Sequence, residues 1–99
     1  MTTLHIINSL PMMRSCLQQC LSVIQKNDAI ILIENAVIAA KKNNQNEELI
    51  KNNKNVFVLQ ADLKARAIKP DQIINNVELV DYSGFVKLTV KYNNTLTWS

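Results

Sequence analysis

Two cysteines are the residues of this chain best suited to nucleophilic chemistry. Cys16 and Cys20 are four residues apart, a CxxxC spacing that differs from the CxxC of thioredoxin-like redox motifs. Both fall on the apolar face of a predicted amphipathic helix, together with Leu17, Leu21 and Ile24. Free cysteine is among the most buried residue types, and Cys20 lies away from the helix N-terminus, where the dipole would favour a thiolate. The pattern favours packing for both thiols and indicates no disulfide.

The single histidine and three carboxylates complete the candidate residues. A catalytic triad would have to use His5, but this residue falls inside the first predicted strand, which favours a structural hydrogen bond with a fixed tautomer. Glu34, Asp62 and Asp81 lie near strand ends, where they would line a cleft or, in the favoured interpretation, cap helices. Neither a GxGxxG, a P-loop nor a metal-ligand array is present, so no cofactor and no metal are expected.

Length and composition indicate a small globular protein. The chain has 99 residues, of which 47% are hydrophobic, enough for one core and a single domain over residues 1–99. The formal net charge of +3 comes with scattered lysines, so direct nucleic-acid binding is not predicted. No secretory signal and no apolar run of the roughly 20 residues that cross a bilayer are found. We expect a cytoplasmic protein without membrane contact, whose thiols stay reduced.

Hydrophobic periodicity predicts an alternation of strands and helices. The predicted strands cover residues 4–8, 29–33, 56–59, 77–80 and, at an edge, 95–98. The predicted helices cover residues 13–24, 36–42 with an extension through 47–51, and 62–68 before Pro70.

Residues 81–92 carry two conflicting patterns. Val86, Leu88 and Val90 alternate with polar residues as in a half-buried strand, whereas Asp81 and Ser83 are suitable helix N-caps. We predict a helix over 83–92, because it completes a regular alternation of strand and helix. This alternation requires parallel crossovers, so the predicted fold class is α/β: a three-layer sandwich with a mainly parallel sheet of four or five strands.

The C-terminal half carries the most specific similarity to a known family. The segment DLKAR from Asp62, the run VDYSGFVKLT from Val80 and the terminal Trp98 resemble the DsrH/TusB family in residue type and spacing. Weaker similarities extend over nearly the whole chain, at Leu4-His5, Pro11, Ile33-Glu34 and Ala39-Ala40.

The resemblance implies a DsrE-like fold and a heterohexamer with two copies each of three homologous subunits. This chain would stand beside DsrE/TusD-like and DsrF/TusC-like subunits. In the TusBCD type of complex, persulfide sulfur arrives from a TusA-like carrier and leaves to a TusE-like carrier for 2-thiolation of the tRNA wobble uridine. That is the function we predict. The DsrEFH type, which serves dissimilatory sulfur oxidation, is the alternative.

The resemblance also bears on catalysis. The principal acceptor cysteine of the family belongs to the DsrE/TusD subunit, so we expect this chain to be a non-catalytic accessory subunit of a sulfurtransferase complex. Cys20 matches a position where some DsrH-type members carry Cys, which leaves open that Cys20 is itself a catalytic persulfide carrier. A free-standing homo-oligomer that binds a small ligand is the weaker alternative.

Three positions depart from the family pattern. Family members often have Gly at the positions of Ala36 and Ala67 and Ser at that of Leu10, so we expect the two turns at Ala36 and Ala67 to be built differently here.

The apolar residues of the C-terminal segment raise a separate point, since the edge of a small sheet must be paired or covered. We hypothesise that the C-terminal segment docks a homologous subunit.

Overall fold

The structure is a computed structural model that describes residues 2–9, 20, 22–43, 47–53 and 55–98. The described strands are β1 (Thr3–Ile7), β2 (Ala29–Leu32), β3 (Val56–Leu59), β4 (Val77–Val80) and β5 (Asn94–Trp98). The described α-helices with defined bounds are α1 (Glu47–Lys51), α2 (Gln60–Ala65) and α3 (Tyr82–Lys91). Two 3-10 helices span Glu34–Ala40 and Pro70–Gln72.

The five strands form one parallel sheet in the order β4-β3-β2-β1-β5. The chain steps from β1 to β4 in one direction and then returns, so that β5 lies on the other side of β1. His5 is beside Ile30 of β2 and Leu96 of β5 in the register. The predicted α/β fold with a parallel sheet is confirmed, with five strands.

Apolar side chains cover both faces of the sheet, which explains why β2 is buried at all four positions. One face packs against the 3-10 helix Glu34–Ala40, called the 3-10 helix below, and against α1 and α2. The main residues of this larger cluster are Ile7, Cys20, Ile30, Leu32, Val37, Ile50, Val58 and Leu63. The other face packs against α3. The smaller cluster there consists of Leu4, Ala29, Ile31, Leu88 and Tyr92.

Helix α3 confirms the helix that we predicted for residues 83–92. The Asp81 carboxylate Oδ1 accepts the Gly84 backbone N–H at 2.7 Å and caps the first turn. Leu88 packs into the smaller cluster, whereas Val86 and Val90 are exposed. The strand-like alternation was therefore misleading, because a half-buried strand would bury Val86, Leu88 and Val90 on one face, whereas only Leu88 is buried.

The predicted helix over 36–42 is wrong in type and bounds, whereas its predicted extension over 47–51 is helical and forms the separate helix α1. A 3-10 helix occupies Glu34–Ala40, and the chain turns at Asn43, whose φ is 67°, before α1 begins separately. The many alanines of the 3-10 helix are buried and allow it to lie close to the sheet. Of the predicted helix over 13–24, Cys20, Ser22 and Val23 are helical, while residues 10–19, including Cys16 and Leu10, lie outside the described residues.

Ala67 has φ of 56°, the left-handed conformation that favours glycine. Our expectation of a differently built turn is therefore wrong at this position. The turn after α2 keeps a left-handed backbone despite its side chain, and the Ala67 N–H still reaches the Lys64 carbonyl at 3.1 Å. Ala36 has no positive φ and lies within the 3-10 helix.

We expect Ala67→Gly to raise the free energy of unfolding by about 0.5–1 kcal/mol. Glycine relieves the left-handed strain of about 1–2 kcal/mol, and its greater entropy in the unfolded chain returns part of that gain. Urea denaturation measures the change. The matched control is Ala65→Gly, which places glycine at an exposed position of α2 and should cost about 1 kcal/mol. Equal destabilisation by both variants would contradict the prediction.

Candidate functional site

Strand β5, which we call the tail edge (Asn94–Trp98), is the most exposed strand of the described sheet. Residues 94–97 are all exposed, and Leu96 is 46% exposed. Natural edge strands are usually protected by lysine, proline or a bulge. The tail edge contains no charged residue and no proline, whereas β4 at the opposite edge carries the exposed Glu78. The tail edge is therefore the unprotected side of the sheet.

The backbone of the tail edge has one side paired and one side open. The Asn94 N–H donates to the Thr2 carbonyl at 3.1 Å, and the Trp98 carbonyl accepts the Asn8 N–H at 3.4 Å. Because backbone groups alternate in direction along a strand, Thr95 and Thr97 point their N–H and C=O groups away from β1. In the part of the chain that the structure describes, no strand pairs with that side. The tail edge can accept another strand.

A polar network anchors the end of the tail edge to the sheet. The Trp98 indole Nε1–H donates to His5 Nδ1 at 3.1 Å, and His5 Nε2 is 3.1 Å from Asp28 Oδ2. An indole nitrogen can only donate a hydrogen bond, so Nδ1 of His5 is the acceptor. The ring proton is therefore on Nε2 of His5, which donates a hydrogen bond to Asp28 Oδ2. His5 and Asp28 are both buried. Both ring nitrogens of His5 are thus occupied, which agrees with the structural role predicted from its place in β1.

Asp28, directly before β2, accepts hydrogen bonds from three residues. Its Oδ1 accepts the Thr3 N–H at 2.9 Å, and its Oδ2 accepts the Gln25 N–H at 2.9 Å besides the His5 bond. Burial by itself raises the pKa of Asp28, but the hydrogen bonds from Gln25, His5 and Thr3 outweigh it and hold the pKa below its ordinary value of 3.8. The ionised carboxylate therefore fixes β1, β2 and, through His5, the tail edge.

Cys20 lies in the larger apolar cluster and is 0% exposed. A persulfide donor has to bring its outer sulfur to the thiolate, and a fully covered Sγ does not allow that approach in this conformation. The position agrees with the packing interpretation. The sulfur-carrier role of Cys20 stays a prediction.

The three carboxylates near strand ends do not form one catalytic cluster. Asp81 caps α3, as described above. The Asp62 carboxylate Oδ2 accepts the Glu34 backbone N–H at 2.6 Å, at a residue with φ of 51°. Arg66 donates from Nε and Nη2 to the Asn35 side-chain oxygen at 3.2 and 2.8 Å. Asp62 and Arg66 thus clamp α2 to the start of the 3-10 helix, so this cluster is structural.

Sequence reasoning did not identify Asp28 or the bond between Trp98 and His5. An aspartate directly before a buried strand is a weak signal, because such residues commonly end turns. Only the strand register brings the start of β2 beside the middle of β1 and thereby gives the buried histidine its partner.

The described ranges of the chain contain no group of three or more His, Cys, Asp or Glu side chains that could hold a metal ion. None of their helices combines the length and apolarity that crossing a membrane requires.

Comparison with known proteins identifies the family. The family model described as DsrH like protein matches residues 10–95. Protein TusB of Pectobacterium parmentieri is 35% identical over 96 residues, which cover 96% of this chain and 99% of that protein. Protein TusB of Escherichia coli strain K12 / DH10B is 35% identical over 79 residues, covering 79% and 82%.

Two solved structures share the fold. The crystal structure of the YchN protein from E. coli superposes with a TM-score of 0.73 at 16% identity, covering 98% of this chain and 99% of that one. The protein of unknown function MTH1491 from Methanobacterium thermoautotrophicum gives a TM-score of 0.69 at 12% identity, covering 97% and 96%. The family match extends over most of the chain and these structures agree with its fold, so the chain belongs to the DsrH/TusB family.

Proposed function

We propose that this chain is a non-catalytic subunit of a cytoplasmic sulfur-relay complex and that it holds homologous subunits through its tail edge. The observation that carries the proposal is the open backbone of Thr95 and Thr97 on an exposed strand without charge or proline. The anchored Trp98 supports it, because a strand fixed at its end loses little entropy when a partner pairs with it.

The partners in this proposal are a DsrE/TusD-like and a DsrF/TusC-like subunit in a heterohexamer, with TusA-like and TusE-like proteins as donor and acceptor of sulfur. The end product is the 2-thiolated wobble uridine of tRNA. Membership of the DsrH/TusB family supports this assignment. A DsrEFH-type role in sulfur oxidation is the alternative within the same family.

The placement of Cys20 and His5 supports an accessory role. Cys20 is covered by the core, and His5 uses both ring nitrogens within the structural network. This placement supports the proposal that sulfur uptake and proton transfer belong to another subunit. In the proposal the acceptor cysteine belongs to the DsrE/TusD-like subunit.

The test is mass spectrometry of the co-expressed complex after exposure to a persulfide donor. We expect a mass increase of one sulfur atom on a cysteine of the DsrE/TusD-like subunit and none on Cys20. A complex with Cys20→Ala should transfer sulfur to the TusE-like protein within about twofold of the wild-type rate, because truncation of a packed thiol changes stability and not the relay.

Other outcomes identify the alternatives. Added sulfur on Cys20, with loss of transfer in Cys20→Ala, would make this chain a carrier. Purification of the chain as a homo-oligomer without the two homologous subunits would support a free-standing binding protein. Deletion of the gene separates the two pathways, since tRNA that keeps its full 2-thiouridine content would contradict the thiolation role.

A further inference from the structure

Helix α3 exposes an apolar surface, which we call the α3 stripe (Tyr82, Val86 and Val90). The three residues are spaced by four and therefore lie along one side of the helix. Their exposed fractions are 68%, 51% and 79%. They lie away from the apolar cluster under the helix, to which α3 contributes Leu88 and Phe85. The α3 stripe is thus not part of the core.

Two lysines border the α3 stripe on one side. Lys87 follows Val86 and Lys91 follows Val90, so each lies about 100° further around the helix and the two are one turn apart. Within the described residues neither lysine takes part in an ion pair. The Lys91 ammonium lies 5.7 Å from the centroid of the Tyr92 ring, an exposed cation–π contact that a partner's carboxylate has to replace. The border therefore presents two positive charges to an approaching surface.

The size and charge of this surface limit its partner. Three side chains are far fewer than the roughly 20–30 residues that each side of a stable interface contributes. A contact of this size suits a partner that binds and leaves. Antiparallel pairing of two copies of α3 would also bring the lysine border of one copy against that of the other, which is unfavourable. A second copy of this chain is therefore a poor partner.

We propose that the α3 stripe transiently docks an amphipathic helix of another protein, with aspartate or glutamate residues along the flank that meets Lys87 and Lys91. Apolar side chains of that helix pack against Tyr82, Val86 and Val90, and its carboxylates pair with the lysines. The tail edge opens in the plane of the sheet, whereas the α3 stripe lies on the layer above it. The two surfaces share no residue, so docking on the α3 stripe does not rest on the proposed function.

The test uses two synthetic helical peptides and the full chain, followed by NMR titration. Both peptides carry leucine at three positions spaced by four, and their flank is either glutamate or lysine. We expect the glutamate peptide to bind roughly tenfold more tightly than the lysine peptide, and shifts to occur in α3 residues. Raising salt from about 0.05 to 0.5 M should remove most of this difference, because the charges are exposed.

Variants of the chain separate the apolar from the charged contribution. The double variant K87E/K91E should reverse the peptide preference. Val90→Ser should weaken binding of both peptides at least about threefold, because it removes an exposed apolar contact without touching the core. The matched control is Val23→Ser, which makes the same substitution at a 48% exposed valine outside α3. It should leave the binding of both peptides unchanged.

Three results would overturn the inference: equal binding of the two peptides, no binding of either, or an effect of Val23→Ser as large as that of Val90→Ser. Circular dichroism of each variant verifies that α3 is intact. None of these results touches assembly through the tail edge, which is measured separately with the homologous subunits.

Discussion

Thr97→Pro is expected to weaken association with the homologous subunits roughly 10- to 100-fold, because a lost or blocked backbone hydrogen bond in an interface costs about 1–3 kcal/mol. Proline has no N–H, and the Thr97 N–H points away from β1. The paired side of the tail edge keeps its bonds, which involve Asn94 and Trp98. The measurement is the dissociation constant of the co-expressed complex, determined by dilution and native mass spectrometry.

The control for this prediction is Thr97→Val, which keeps the backbone N–H and nearly the same side-chain volume. We expect it to assemble like the wild type, with a dissociation constant within about threefold. Thermal unfolding of both variants shows whether β5 remains in the sheet. If Thr97→Pro folds and assembles as tightly as Thr97→Val, pairing at the tail edge is not the contact that holds the complex.

Asp28→Asn is expected to lower the free energy of unfolding by about 2–3 kcal/mol, because the change replaces an acceptor oxygen by an NH₂ group facing buried donors. If the amide nitrogen takes the place of Oδ2, it meets both the His5 Nε2–H and the Gln25 N–H. His5 cannot escape by changing its tautomer, since Nδ1 would then carry a proton against the Trp98 indole.

Chemical denaturation at neutral pH measures this loss. The matched control is Asp71→Asn, the same substitution at an exposed aspartate, which should stay within about 0.5 kcal/mol of the wild type. A loss at Asp28→Asn as small as that of the control would show that the buried network contributes little to stability.

The same carboxylate predicts how stability depends on pH. The folded-state pKa of Asp28 is lowered below the ordinary value of 3.8, so the folded state favours the ionised form. This contribution is fully present above about pH 4 and is lost as the pH falls through the lowered folded-state pKa. The stability difference between wild type and Asp28→Asn should therefore shrink as the pH is lowered from 5 to 2. A difference that grows over this range would contradict the assignment.

The strands of the fold were predictable because local pattern and final environment agree. The run Ala29–Leu32 is continuously apolar and is covered on both faces, and Val77–Val80 has the predicted bounds. The 3-10 helix at residues 34–40 was not predictable, because its alanines suit an α-helix equally well by propensity. For α3 the N-cap at Asp81 was the decisive local signal.

The candidate site was predictable in part. The tail could be recognised as an edge strand from its residue pattern and its position after the last helix. The network that anchors it could not, because it joins residues 5, 28 and 98 through the sheet register and through an indole donor. The exposure of the α3 stripe was not predictable either, because residue type alone does not tell whether Val86 and Val90 face the core or the solvent.

Hydrogen exchange at the Thr95 and Thr97 amides reports whether a strand of a homologous subunit pairs with the tail edge. In the isolated chain these amides point away from β1 and should exchange quickly, whereas in the complex with the homologous subunits we expect at least about tenfold protection. Fast exchange at both positions in a fully assembled complex would show that the subunits are held by another surface.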